Sequence, residues 1–166
     1  MEHIVTEIFN KKLIVVSEGD SIIGMDFYTQ SKFAYYLRNS TENKDSELLI
    51  SVVSQLQEYA KGQRQFFDLK LKPAGTEFQK SVWSQVIKIP YGQTTSYLEI
   101  AKRISRPRAY RAVANAVGKN PITIIIPCHR IIRENGDLGG YSGGVDIKKL
   151  LLLREMSQNN SSKSFL

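Results

Sequence analysis

The sequence predicts a mixed α/β chain of the α+β kind, in which an antiparallel sheet with one helix precedes a mainly helical second half. Three observations predict this. β-Formers cluster in the first 28 residues between short turn signals, and apolar residues recur at helical spacing from Ser46. Beyond a turn-rich link at Lys72-Pro73-Ala74-Gly75, two capping signatures open further helices.

In chain order, strands are expected at His3–Phe9, Leu13–Ser17 and Ser21–Tyr28, separated by Asn10-Lys11 and Glu18-Gly19-Asp20. Connections this short favour an antiparallel meander. Leu48, Leu49, Val52, Val53, Leu56, Tyr59 and Ala60 then mark a helix over Ser46–Lys61 that can cover one sheet face, and Gln65–Leu71 reads as another strand. Thr76 with Gln79 forms a capping box for a helix presenting Phe78, Val82 and Val86, ended by Pro90-Tyr91-Gly92. Ser96 with Glu99 opens a second helix, to about Ile104. After a tight turn at Ser105–Arg108, a third helix spans Ala109–Gly118, with Gly118 suited to its C-terminal end.

Ile122–Ile126 reads as a buried strand stopped by Pro127, which cannot donate a ladder hydrogen bond. Glycines from Gly136 to Gly144 make a loop around Tyr141-Ser142. A last helix, Val145–Met156, has Ile147, Leu150, Leu151 and Leu153 on its apolar side. The expected domains are 1–73, a sheet-plus-helix domain with its linker, and 74–157, followed by a polar, disordered tail over 158–166.

Composition excludes several classes. One cysteine and two histidines, His3 and His129, leave no disulfide framework and no multi-cysteine zinc site, so no metal or other cofactor is expected. No apolar run approaches membrane-spanning length, and Met1-Glu2-His3 begins no signal-peptide pattern. A soluble intracellular protein without a membrane partner is expected. Charge is uneven: residues 1–73 hold nine Lys and Arg against ten Asp and Glu, whereas residues 74–157 hold thirteen against six. A basic second half suits a polyanion, although a solvated basic surface would look the same.

The only cysteine, Cys128, lies in Ile126-Pro127-Cys128-His129-Arg130. An imidazole and a guanidinium beside a thiol are expected to lower its pKa, although free cysteines are also among the most buried residues. Sequence neighbours seldom face each other, so a water between Cys128 and His129 would let the imidazole take the thiol proton. Such a base needs an orienting acceptor, and Glu155 on the last helix is the candidate. The two helices joined at Ser105–Arg108 read as a helix-turn-helix. Ala109, Ala112, Ala114 and Ala116 leave the second helix slim enough to approach DNA, and Arg111 projects as a probe. An alanine-rich helix packed on a neighbour is the alternative.

The strings GTEFQKSVW, IPYGQTTSYLEIA, AYRAVANAVGKNP, IPCHRII and GGYSGG, in this order and spacing from about Gly75 to Glu155, resemble the O6-alkylguanine-DNA alkyltransferase family. The resemblance implies a ribonuclease-H-like N-terminal domain before a C-terminal DNA-binding and alkyl-transfer domain. It implies single-turnover transfer of an alkyl group from O6-alkylguanine, with O4-alkylthymine as a further substrate, in double-stranded DNA from which the nucleotide is flipped. Cys128 would be the nucleophile, His129 the base acting through water, Glu155 its orienter, and Asn120 a brace. Tyr97, Arg111 and Ala112 would meet DNA, Arg111 filling the vacated space. Tyr141, Ser142 and Gly143 would line the guanine pocket. A monomer is expected, cytoplasmic or, in a eukaryote, nuclear. Thr123 stands where some relatives carry proline. Two other classes stay open on the residues: a lesion sensor that binds alkylated DNA and recruits a partner, and a hydrolase built on Cys128, His129 and Glu155.

Overall fold

The computed structural model describes residues 1–28 and 31–161. The chain divides into two compact units, Met1–Ala74 with Pro121–Thr123, and Gly75–Asn120 with Ile124–Leu166. A boundary drawn along the sequence does not anticipate that residues 121–123 group with the first unit.

The first unit contains β1 (Glu2–Ile8), β2 (Lys11–Glu18), β3 (Ser21–Phe27), α1 (Ser31–Asn39), β4 (Thr41–Glu42) and α2 (Glu47–Ala60). The strand order is β3-β2-β1-β4, with antiparallel β1–β2 and β2–β3 pairs and β4 parallel to β1. Phe9 and Asn10, at φ 54° and 58°, form a two-residue turn between β1 and β2. Two successive left-handed residues match the strand twist in such hairpins. β2 is buried on both faces, from Leu13 to Ser17. Ile14 and Val16 pack with Phe33 of α1, while α2 packs on β1 and β2 and buries Leu49, Val52, Gln55, Leu56 and Tyr59. The Ser46 side chain caps α2 by accepting from the Leu49 amide.

Two expected strands do not form. Around Leu71 the chain makes only an isolated parallel bridge to Ile22, and Phe66 is exposed. Ile122–Ile126 bridges once, Ile122 to Met25, and then turns. The Thr123 amide and hydroxyl both donate to the Met25 carbonyl. Ile124 is held at φ 70°, a strained conformation for a β-branched residue. An apolar run alone cannot separate a buried strand from a buried turn. α1 was not anticipated either.

The second unit contains α3 (Glu77–Val86), β5 (Thr95–Ser96), α4 (Tyr97–Arg103), a 3-10 turn at Pro107–Ala109, α5 (Tyr110–Gly118), a 3-10 turn at Cys128–Arg130, β6 (Ile131–Ile132) and α6 (Val145–Ser161). Thr76 and Gln79 complete the capping box of α3. Ser96 caps α4 by accepting from the Glu99 amide and donates its hydroxyl to Glu134, while Glu99 pairs with Lys102 and Arg103. α3 packs on α4 and α5, where Trp83 Nε1 donates to the Ala116 carbonyl at 2.9 Å. β5 pairs in parallel with β6, joining the start of α4 to the segment after Cys128.

The last helix differs from its expected form. Its buried side is Ile147, Lys148, Leu151, Leu152 and Glu155, whereas Leu150 and Leu153 are exposed. The helix also continues to Ser161, through part of the expected tail; residues 162–166 lie outside the described residues. Among the described residues, no helix is long and apolar enough to cross a membrane.

Candidate active site

Cys128 opens a 3-10 turn after Pro127, so consecutive side chains leave the backbone in different directions. Its sulfur lies on the wall of a cavity of about 640 Å³ that Tyr97, Arg111, Tyr141 and Ser142 also line. This volume is within the range of small-molecule pockets, roughly 300–1,000 Å³. Gly139, at φ 68°, takes a left-handed conformation that favours glycine, where the loop runs beside Tyr97. Asn120 Nδ2 donates to the Ile126 carbonyl at 2.8 Å and to Cys128 Sγ at 3.0 Å, tying the turn to the thiol it presents.

His129 is fully buried away from solvent, with Nε2 2.7 Å from Glu155 Oε1. Glu155 also accepts from Arg130 Nε at 2.9 Å, Arg130 Nη2 at 3.0 Å and the Gly92 amide at 3.1 Å. Burial opposes ionisation of this carboxyl, yet the hydrogen bonds from His129 and Arg130 and the charge of Arg130 outweigh it and lower the pKa to about 2. For His129 burial wins: despite Glu155, its pKa falls below the ordinary histidine value, leaving it neutral at neutral pH.

The thiol is not lowered as its neighbours in sequence suggest. Burial pushes Cys128 up, against the opposing effects of Asn120, Lys148 and Tyr141. The reason is where the Arg130 charge goes. Its guanidinium grips Glu155 and donates Nη1 to the Ile89 carbonyl at 2.6 Å, so it neutralises the carboxylate. Burial likewise raises the Tyr97 phenol and keeps it a proton donor.

The structure therefore brings Tyr97, Arg111, Cys128, Tyr141 and Ser142 to one cavity, with Asn120 bonded to the thiol and Glu155 to His129. Ala112 is exposed on α5 and Gly143 is buried, and neither lines the cavity. Thr123 is also buried, on the Met25 carbonyl, and does not line it. Sequence reasoning missed Arg130 as the second partner of Glu155. It also missed Lys148, which is wholly buried and donates Nζ to the carbonyls of Ile131, Leu138 and Gly140. One signal was available: Lys148 and Glu155 are seven positions apart, on one helical face with Ile147 and Leu151. Among the described residues, no group of three or more His, Cys, Asp or Glu could hold a metal.

A fold of two α/β units with one cysteine, backed by histidine and glutamate, on a cavity wall defines a class of cysteine-dependent proteins. Comparison with known proteins narrows the class. The family described as 6-O-methylguanine DNA methyltransferase, DNA binding domain, matches residues 77–157. The methylated-DNA–protein-cysteine methyltransferase of Methanosarcina mazei is 54% identical over 119 residues, covering 72% of this chain and 73% of its own. That of Methanosarcina barkeri is 48% identical over 136 residues, covering 82% and 84%. The crystal structure of Mycobacterium tuberculosis OGT in complex with DNA matches 95% of this chain and 94% of its own, with a TM-score of 0.88 and 36% identity. The chain belongs to the methylated-DNA–protein-cysteine methyltransferase family.

Proposed function

We propose that the chain repairs DNA directly: Cys128 accepts the alkyl group of an O6-alkylguanine flipped out of double-stranded DNA, once per protein molecule. The observation that carries this is the placement of the lone thiol on the cavity wall, hydrogen-bonded by Asn120 and followed by a buried His129–Glu155 pair. A protein that only senses the lesion has no need of that thiol.

The chemistry follows from the geometry. With Glu155 ionised, His129 donates from Nε2, and Nδ1 becomes the basic nitrogen. The thiol proton passes through a water to Nδ1, and Glu155 stabilises the imidazolium that forms. The sulfur then bonds to the alkyl carbon as the carbon–O6 bond breaks, and the electron pair departs with the guanine. Tyr97, held protonated, donates toward the leaving base. Asn120 braces the thiolate by its hydrogen bond to sulfur. The thioether product is a poor leaving group, which ends the reaction after one turnover. O4-alkylthymine presents the same kind of alkyl carbon to the same sulfur.

Docking is assigned to α4 and α5 as a helix-turn-helix. α5 exposes Arg111 and Ala112, and buries Val113, Ala116 and Val117. A slim helix with one projecting cation suits the minor groove, Arg111 taking the place of the extruded base. Tyr141, Ser142 and Gly143 belong to the loop that receives that base. The assignment makes residues 74–157 the DNA-binding and transfer domain. It makes residues 1–73 a ribonuclease-H-like domain, a reading supported by β4 running parallel to β1 beside an antiparallel meander. The protein acts as a monomer in the compartment that holds the DNA.

The test is intact mass after incubation with duplex DNA containing O6-methylguanine, followed by peptide mapping. One methyl in place of one proton on Cys128, saturating at one per protein, is expected. No mass change despite DNA binding by a reduced protein would replace the reading with the lesion sensor, and repeated turnover on an ester would favour the hydrolase.

A further inference from the structure

Tyr110 and Arg111 are successive residues at the start of α5, both exposed and both on the wall of the cavity that Cys128 lines. Successive side chains on a helix do not ordinarily face each other. Here they meet: the Arg111 guanidinium carbon lies 5.7 Å from the centroid of the Tyr110 ring, within the cation–π limit of roughly 6 Å. Tyr110 is 44% exposed, so core packing does not account for the ring. Ala114 and Gly118, farther along the same row of the helix, also line the cavity and are small. Tyr110 is therefore the large side chain at the head of a slim row.

The arginines of this unit are held in two ways. Glu155 grips Arg130, and Asp137 pairs with Arg133 at 2.9 Å, so a carboxylate offsets each of those charges. Among the described residues no carboxylate pairs with Arg111, and the contact it makes is with the ring. The arrangement recurs before the turn that leads into α5, where the Arg106 guanidinium lies 5.7 Å from the centroid of the Phe78 ring. A carboxylate would orient a guanidinium and cancel its charge. An aromatic face orients it through the ring quadrupole and leaves the full charge for a polyanion. A long side chain restrained beforehand also has less conformational freedom to lose on binding.

We propose that Tyr110 is a positioning residue for base extrusion: its ring holds the Arg111 guanidinium at the cavity, ready to enter the duplex. The inference rests on the reading of Arg111 as the residue that takes the place of the extruded base. Two consequences follow from acting through Arg111. The aromatic ring matters and the hydroxyl does not, and the contribution of Tyr110 disappears when Arg111 is absent.

The experiment is a double-mutant cycle on the full chain with Tyr110→Leu, Arg111→Ala and both together, and with Tyr110→Phe as the conservative variant. Each protein is assayed for transfer from duplex DNA containing O6-methylguanine and from free O6-benzylguanine, and the ratio of the two rates is read. Tyr110→Leu is expected to lower that ratio about two- to fivefold, the factor that an exposed cation–π contact supplies. Tyr110→Phe should keep the wild-type ratio, and Tyr110→Leu should add nothing to Arg111→Ala. An unchanged ratio in Tyr110→Leu, or a loss in Tyr110→Phe equal to that in Tyr110→Leu, would overturn the proposal. An equal loss with and without Arg111 would overturn it too, by showing that Tyr110 acts on DNA directly. A wild-type ratio in Arg111→Ala would instead remove the extrusion reading on which the proposal stands, and absence of transfer by wild type from both substrates would remove the assigned function.

Discussion

α2 and α6 are both helices with a buried side, and they differ in what they bury. α2 buries Leu49, Val52, Leu56 and Tyr59 with one polar residue, Gln55, which accepts from the Asp68 amide and reaches Ser51. α6 buries Ile147, Leu151 and Leu152 together with two charges, Lys148 and Glu155. Burying charge is unfavourable unless every polar atom is matched, and an apolar replacement of similar volume often does as well for stability. The α2 pattern is explained by folding. On α6, Glu155 is matched by His129 and Arg130, and Lys148 by backbone carbonyls of Ile131 and Leu138.

The contrast can be broken in four ways. The largest effect is expected from Cys128→Ser: transfer is abolished, whereas binding to lesion-containing duplex persists. Retained transfer, measured by transfer of a radiolabelled methyl group to protein, would remove Cys128 from its assigned role.

Next is Glu155→Gln, which leaves the buried Arg130 guanidinium without its carboxylate. Breaking a buried pair costs about 3–5 kcal/mol, and transfer should fall in the protein that still folds. The same residue sets an acid limit. Its folded pKa, about 2, is below the ordinary carboxyl value of 4.5, so its contribution is present above about pH 4.5 and lost as pH falls toward 2. Thermal melts between pH 6 and 3 should show wild type losing stability faster than Glu155→Gln. Parallel curves would contradict the charge network.

Leu56→Ala in α2 should lower stability by about 2–5 kcal/mol, since it opens a cavity at a fully buried position. The transfer rate per folded molecule should stay at the wild-type value, as α2 is read as packing alone. A rate loss measured well below the melting temperature would show that the sheet unit takes part in the chemistry.

The smallest change in stability is expected from Arg111→Ala, because the side chain is exposed. Transfer from duplex DNA should fall further than transfer from free O6-benzylguanine. Equal losses in the two assays would take Arg111 out of base extrusion.

Much of the site was legible in order and spacing. Cys128 after Pro127 and Glu155 on the last helix carry side-chain types whose chemistry is local, whereas Asn120 follows only from the family resemblance. The Thr76 capping box was legible for the same reason, since its two partners are three residues apart. The strand expected at Ile122–Ile126 failed because five apolar residues are compatible with a strand and with a buried turn. Only the pairing of Met25 with Ile122 and the turn at Ile124 decide between them. The apolar side expected for α6 differs from its buried side, because hydrophobicity alone does not fix the face. Leu150 and Leu153 are exposed, while Lys148 and Glu155 are inside.

By itself, then, the sequence determined the α+β class, the meander, the helix starts and the one candidate thiol, all of which rest on contacts within a few residues or on residue chemistry. Tertiary structure decided which charges are partners. Arg130, two residues past the thiol in sequence, belongs to Glu155, and Lys148, twenty residues away, is the cation held by the carbonyls of Ile131 and Leu138. Electrostatic energy depends on distance and burial in space, and neither is a property of position along a chain.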